Sequence, residues 1–269
     1  MIKTATIFAV MFMALHSISA TAATVGANPS REAQNYVISK LHAHDIVFLG
    51  TTHRQPAILG LVAELLPRLA RAGVTHLALE IGSDQQTRLD YYLASGKGLM
   101  QIDLAPAIDC SQYRRLLKTL RQMPSAARPR VVALDLPASR YGGPDSRDHW
   151  MATGLNQILQ APERVKILVM LGSLHILHKL EWQSRLGKGQ DSIRTYLGRV
   201  RPHLRMFSIV NIVSGKEGDC DFGRVLGPLP GIVAVDLDRR FEGWTLGLTR
   251  CIALRPAQPY ELVDGVIVY

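Results

Sequence analysis

The sequence has little cysteine, few aromatic residues and a shortage of acidic charge. Of its 269 residues, three are cysteine and 6% are aromatic, and 22 Asp and Glu stand against 31 Lys and Arg, which leaves a net charge of +9. Three cysteines allow at most one intramolecular disulfide. Cys220 and Cys251 are the favoured pair because both lie in the C-terminal part, and Cys110 would then be a small buried hydrophobic residue.

Long apolar runs are also missing after the N-terminus. Residues 5–20, ATIFAVMFMALHSISA, are apolar but short for a membrane span and are interrupted at His16. Lys3 precedes this run, and the small residues Ala20-Thr21-Ala22 follow it, which predicts a secretory signal over residues 1–22 rather than a membrane anchor. No cysteine follows for lipid attachment. We therefore expect an exported protein, periplasmic or secreted, with one domain over residues 23–269 and no later transmembrane span.

The positive net charge favours anionic surroundings, such as a membrane or cell-wall surface. Nucleic acid is not a predicted partner. Four basic residues lie on one short helix without interleaved aromatic residues or a known binding motif: Arg114, Arg115, Lys118 and Arg121. This pattern is typical of a solvated helix face.

Apolar strand-like segments alternate with helix-like segments, and no repeat or biased tract interrupts them. The predicted strands cover residues 45–50, 75–80, 130–136, 165–171, 205–212 and 231–237, with weaker ones at 245–253 and 265–269. Alternation of this kind predicts a three-layer α/β fold with a mostly parallel sheet and helices on both faces. The stretch 215–230, rich in Gly and Pro, is predicted to be a loop or an insertion.

Helix signals fill the intervals between these strands. Pro56 is suited to a first helical turn, and an apolar stripe follows it at spacings of three and four residues up to Gly73: Leu59, Val62, Leu66 and Leu69. Ser83 or Asp84, Ser111 and Ser146 are predicted N-caps of three later helices.

Polar residues gather where the predicted strands end. The first strand ends in Gly50-Thr51-Thr52-His53, and the fourth ends in Gly172-Ser173-Leu174-His175. Glu80 ends the second strand and Asp135 the third. Since ligands of open α/β sheets bind beyond the carboxyl ends of the strands, we expect these groups to share one cleft.

Imidazole and carboxylate groups support two kinds of chemistry. With a divalent metal (Mn, Co or Zn), His53, Glu80 and His175 would lower the pKa of a bound water. Without a metal, the same groups form a general base that a carboxylate orients. Taken singly, each has a structural interpretation: a loop histidine, a helix cap for Glu80, a turn former for Asp135. His178, His76 and His203 are interpreted as structural.

Several segments resemble one superfamily: IVFLGTTHRQP, GVTHLALEIGSDQQTRLDYYL, VVALDL, SRDHWMA and KILVMLGSLH. It groups erythromycin esterase-like proteins, haem-binding ChaN-like proteins and the Tiki/TraB group. The resemblance covers roughly residues 44–212. The most specific segments are E-I-G-S-D-Q-Q and R-D-x-x-M-A.

The resemblance implies roles for four residues. His53 matches the histidine that is the catalytic base of the esterases and a metal-site residue of the Tiki-like proteases. Glu80 and His175 match the acidic residue and the later histidine, and Arg147 matches the arginine of R-D-x-x-M-A. Thr51 departs from the esterase and ChaN pattern G-E-x-H, and it matches the Tiki/TraB pattern G-T-x-H.

Three hypotheses follow. The leading one is an exported hydrolase of an ester, lactone or amide, small molecule or peptide, in which Arg147 holds an anionic group or the developing oxyanion. The second is a haem- or iron-binding envelope protein of ChaN type. Its candidate axial ligands are Tyr91, Tyr92, Tyr141 and His53. The third is an envelope scaffold whose site has decayed.

Overall fold

The computed structural model describes residues 29–178, 192–212, 233–242 and 258–269. The predicted signal segment, the 215–230 loop, the weak strand at 245–253, Cys220 and Cys251 lie outside these ranges. Cys110 is half-buried with a free thiol. Among the described residues, no helix combines the length and the apolar character needed to cross a membrane.

Seven strands form one sheet, confirming the predicted α/β class. The strands are β1 Ile46–Thr51, β2 His76–Gly82, β3 Arg130–Asp135, β4 Ile167–Gly172, β5 Met206–Ile212, β6 Val233–Asp236 and β7 Gly265–Val268. Their order across the sheet is β3-β2-β4-β1-β5-β7-β6. All neighbours are parallel except β6 and β7, which are antiparallel. The central strands β4 and β1 are almost wholly buried, which explains why their sequences are continuously apolar.

Helices cover both faces of this sheet. They are α1 Pro29–Ala43, α2 Pro56–Leu69, α3 Gln86–Ser95, α4 Ser111–Gln122, α5 Arg147–Ile158, α6 Ile193–Val200 and α7 Pro259–Leu262. Residues of α1 to α4 share one buried cluster with one face of the sheet. Residues of α5, α6 and α7 form the second cluster on the other face. The predicted three-layer arrangement is therefore confirmed.

Two predicted helix starts are corrected. α3 begins at Gln86, after a short 3-10 turn at Ser83–Gln85, and neither Ser83 nor Asp84 caps it. α4 begins at Ser111 itself, with Cys110 as N-cap residue, because the Arg114 amide already bonds to the Cys110 carbonyl. The other predictions hold: α2 starts at Pro56, and the Ser146 hydroxyl accepts a hydrogen bond from the His149 amide at the start of α5.

Candidate active site

The carboxyl ends of β2, β4 and β1 lie side by side in the middle of the sheet. Glu80 lies near the end of β2 and is only 6% exposed. The backbone amide of Gly172, the last residue of β4, donates to Glu80 Oε2 over 2.5 Å. This bond fixes one oxygen of the carboxylate to the neighbouring strand end.

His53 reaches the same place from the end of β1. A Cβ atom on Gly172 would lie 3.1 Å from His53 Cε1, 3.2 Å from His53 Nε2 and 3.4 Å from Glu80 Oε2. Glycine at 172 therefore keeps open a gap bordered by the imidazole and the carboxylate. The next residue, Arg54, has a left-handed φ of 61°, and its guanidinium donates to the Pro106 carbonyl. This contact anchors the turn that presents His53, which is exposed.

Arg147 joins Glu80 to Asp135. It is the first residue of α5, and its Nη2 donates to Glu80 Oε1 over 2.8 Å and to Asp135 Oδ2 over 2.6 Å. Its Nε donates to Asp135 Oδ1 over 3.0 Å. Burial lowers the pKa of Arg147, but the hydrogen bonds and charges of the two carboxylates raise it overall. Within the described residues no group bonds to Arg147 Nη1, so the N–H groups of this atom can donate to a ligand.

Tyr141 closes the outer side of this ion pair. Its hydroxyl donates to Asp135 Oδ2 over 2.6 Å, and its ring centroid lies 5.1 Å from the guanidinium carbon of Arg147. Burial and the bond to Asp135 raise the pKa of Tyr141. Tyr141 therefore stays a neutral donor and holds the carboxylate that orients Arg147.

A buried carboxylate also orients His175. His175 lies in the 3-10 turn Ser173–Ile176 after β4, and its Nδ1 is 2.5 Å from Asp148 Oδ1. Its Nε2 faces Glu80 Oε1 at 3.8 Å. Burial lowers the pKa of His175, but the hydrogen bond and charge of Asp148 and the charge of Glu80 raise it above the ordinary value. The surroundings of His175 therefore favour the imidazolium form.

The structure brings together all four site residues taken from the sequence: His53, Glu80, Arg147 and His175. Asp135 joins them as a partner of Arg147. The sequence analysis missed Asp148, although it is the aspartate of R-D-x-x-M-A directly after Arg147. His178 pairs with a different carboxylate: its Nε2 lies 3.0 Å from Asp264, which also pairs with Arg194.

The geometry does not suit a metal ion. In the described part of the chain no group of three or more His, Cys, Asp or Glu side chains is arranged to hold one. Glu80 already accepts hydrogen bonds from Gly172 and Arg147, and His175 Nδ1 is engaged by Asp148. The Arg147 guanidinium also pairs with the carboxylates that would otherwise be available to bind a metal. These residues therefore form an ion-pair network instead of a set of metal ligands.

The candidate haem ligands do not form one surface. Tyr92 is buried in the core at 4% exposure, whereas Tyr91 is exposed on α3. The Tyr141 hydroxyl is engaged by Asp135. Of the four, His53 and Tyr141 are exposed beside the ion-pair network, and Tyr141 is 41% exposed.

No protein-family model matches the sequence, and the comparison with curated proteins finds no match. Among solved structures, the chain is similar to a Bacillus cereus structural-genomics protein at 13% identity, over 90% of this chain and 92% of that one, with a TM-score of 0.64. A mutant of the erythromycin esterase EreC in its open conformation matches at 14% identity, 87% and 92% coverage and a TM-score of 0.56.

ChaN of Campylobacter jejuni, whose structure shows cofacial haem binding, matches at 12% identity, 87% and 91% coverage and a TM-score of 0.50. At these identities the likeness concerns the fold. The chain therefore shares its fold with an erythromycin esterase and with ChaN, as the sequence resemblance implied.

Proposed function

We propose that this chain is a hydrolase of carboxylic esters, lactones or amides that works through two histidines in unlike surroundings. The observation that carries the proposal is the convergence of His53, His175 and Arg147 around Glu80. Pairs of titratable groups whose environments differ are the usual sign of separate acid and base roles. His53 is exposed at the cleft, whereas His175 is buried between two carboxylates.

His53 is the base in this proposal and His175 the acid. His53 takes a proton from the attacking water, and the imidazolium of His175 protonates the leaving alkoxide or amine. The free Nη1 of Arg147 donates to the carbonyl oxygen as negative charge develops there. Glu80 fixes the positions of Arg147 and of the β4 end, and it faces the imidazolium.

A panel of p-nitrophenyl esters, lactones and short peptides tests this proposal. We expect turnover by the wild type and a loss of at least a hundredfold in kcat for His53→Ala and for His175→Ala. His203→Ala, at an exposed position outside the cleft, is the matched control and should keep full activity. Turnover that is equal in all four proteins would overturn the proposal, and turnover that requires an added divalent metal would overturn its metal-free form.

The haem-binding alternative is tested on the same sample. Titration with haem and an absorption spectrum would show a Soret shift if His53 or Tyr91 ligated the iron. A stoichiometric shift that disappears in His53→Ala would favour the binding function over hydrolysis.

Export and association with an anionic surface are part of the same proposal. N-terminal sequencing of the protein from the producing cells tests cleavage near Ala22. For surface binding, the supporting feature is a groove between α1 and α2 whose lining includes four basic side chains and no carboxylate: Arg31, His42, Arg68 and Arg71. We expect salt-sensitive binding to vesicles of anionic lipid and none to neutral vesicles.

A further inference from the structure

Two buried hydroxyl groups beside the candidate active site have no hydrogen-bond partner among the described residues. They are Thr52 Oγ1 and Ser173 Oγ, here called the hydroxyl pair. Other hydroxyls near them are satisfied: Thr51 Oγ1 donates to the Leu171 carbonyl over 3.2 Å, and Ser192 Oγ donates to the His178 carbonyl over 3.1 Å. A buried hydroxyl without a partner is uncommon and costs stability, so its retention calls for a functional reason.

The sheet register puts the hydroxyl pair at two adjacent strand ends. Thr51 is the register partner of Gly172, so Thr52 and Ser173 are the next residues of β1 and β4. The segments that follow these two strands also approach each other. The His53 ring contacts the position where a Gly172 Cβ would be, and the Ser173 Cα lies 3.0 Å from where a Gly50 Cβ would be. Thr52 and Ser173 therefore directly adjoin, along the chain, the two residues that border the gap, His53 and Gly172.

The two hydroxyls differ from the surrounding groups in chemistry. Arg147 and His175 carry positive charge toward the cleft, which suits an oxygen that is gaining negative charge. A hydroxyl can donate one hydrogen bond and accept others, which suits a neutral water molecule. Ser173 is 4% exposed, so its side chain is shielded from bulk solvent and from a large substrate group.

We propose that Thr52 and Ser173 are catalytic residues that hold the attacking water next to His53. The inference rests on the proposed hydrolase function. The water is bound by the two hydroxyls and gives one proton to the His53 imidazole, while its oxygen forms a bond to the acyl carbon. The bond from that carbon to the leaving oxygen or nitrogen then breaks, and His175 supplies the leaving group's proton. The histidines exchange protons with solvent before the next turnover, so one water is consumed for each bond cleaved.

This role predicts a large effect on activity and a small effect on stability. Thr52→Val and Ser173→Ala each remove a buried hydroxyl whose partner is the held water and not another group of the protein, so each should change the melting temperature by less than about 2 °C. Each should also lower kcat by about tenfold to a hundredfold with KM changed less than about twofold, because the water is held and the substrate is not. Thr52→Ser keeps the hydroxyl and should keep most of the activity.

Ser192→Ala is the matched control. Its hydroxyl is also buried in part, but it has partners, since it accepts from the Thr195 amide as the N-cap of α6. This variant should melt at a lower temperature and keep kcat unchanged. It separates the loss of a hydroxyl that bonds within the protein from the loss of one that bonds to the held water.

Steady-state kinetics and thermal melts of these five proteins give distinct outcomes. An active wild type, with Thr52→Val and Ser173→Ala slow but not destabilised, supports the inference. If those two variants keep the wild-type kcat, the inference is wrong and the hydrolase proposal stands. If kcat and melting temperature fall together, the hydroxyls are structural and the inference is again wrong. A wild type without turnover on the whole panel would overturn both.

Discussion

Replacing Asp148 with asparagine removes one charge from the buried pair with His175 and keeps the size of the side chain. The carboxylate and the imidazole meet at 2.5 Å, and their side chains are only 7% and 13% exposed. Burial alone lowers the pKa of His175, and Asp148 provides the largest opposing influence. We therefore expect Asp148→Asn to lower the pKa of His175.

The size of the effect follows from the two things that Asp148 does. A hydrogen bond to a charged group contributes about 1.5–3 kcal/mol and a neutral one about 0.5–1.5 kcal/mol, so the difference is about 1–1.5 kcal/mol. Asp148 also lies in the first turn of α5, where a negative charge adds about 0.3–1 kcal/mol. The expected loss in the free energy of unfolding is about 1.5–2.5 kcal/mol, or about 4–8 °C in melting temperature.

The pH dependence has a definite sign. Because the folded pKa of His175 is raised above its ordinary value of 6.5, its stabilising contribution is complete below that value and is lost as pH rises through the folded pKa. The difference between wild type and Asp148→Asn should therefore be largest near pH 6 and shrink at higher pH. If His175 is the acid, the alkaline limb of the kcat/KM profile should also move to lower pH.

Urea denaturation at several pH values and a pH–rate profile measure both effects. Asp109→Asn is the matched control, because Asp109 is a partly exposed carboxylate before α4 that pairs with Arg114 away from the cleft. A stability difference that does not vary with pH, or an unmoved alkaline limb, would refute the assignment of His175 as an imidazolium held by Asp148.

Three further variants test other contacts of the site. Gly172→Ala places a Cβ 3.1 Å from the His53 ring, so kcat should fall about tenfold or more while the melting temperature changes little, and an unchanged kcat would remove His53 from this position. Arg147→Met leaves two buried carboxylates without a cation. After allowance for the partial exposure of Arg147, urea denaturation should show a loss of about 2–4 kcal/mol in the free energy of unfolding. This loss should be smaller at pH 4 than at pH 7, because the carboxylates are then closer to protonation. Asn211→Ala removes a donor to the Gly50 carbonyl (2.7 Å) and an acceptor for the Tyr269 hydroxyl (2.9 Å), so about 2–3 kcal/mol of unfolding free energy should be lost, and a neutral result would contradict both bonds.

The sequence predicts the sheet better than the helices around it. The strands are short apolar runs, and each lies within a few residues of its predicted place. No helix is predicted before β1, yet α1 covers Pro29–Ala43. Its buried stripe is narrow, with Ala33, Val37 and Leu41 as the fully buried residues, and the remaining positions are mostly polar. So narrow a stripe is a weak signal for a helix.

The candidate site could likewise be predicted from the sequence only in part. His53, Glu80 and His175 could be placed in one cleft because parallel strands bring their carboxyl ends to one edge. Asp148 could not be placed there, because its partner His175 is 27 residues away in sequence. Their contact depends on how α5 packs against the turn after β4. The unpaired state of Thr52 and Ser173 is also invisible in sequence, since every hydroxyl can find a partner until the packing is known.

The charge balance of the cleft favours the role of acid over the role of base for His175. Three buried carboxylates, Glu80, Asp135 and Asp148, are offset by Arg147 alone if His175 is neutral. Protonating His175 supplies the second cation and leaves one net negative charge, which explains why its pKa is raised despite deep burial. A histidine held protonated in this way cannot accept a proton from water, and it carries the proton that a leaving group needs, although its raised pKa makes it a weaker acid than a free imidazolium. In the proposed hydrolysis the base is therefore His53, which lies outside this ion-pair network.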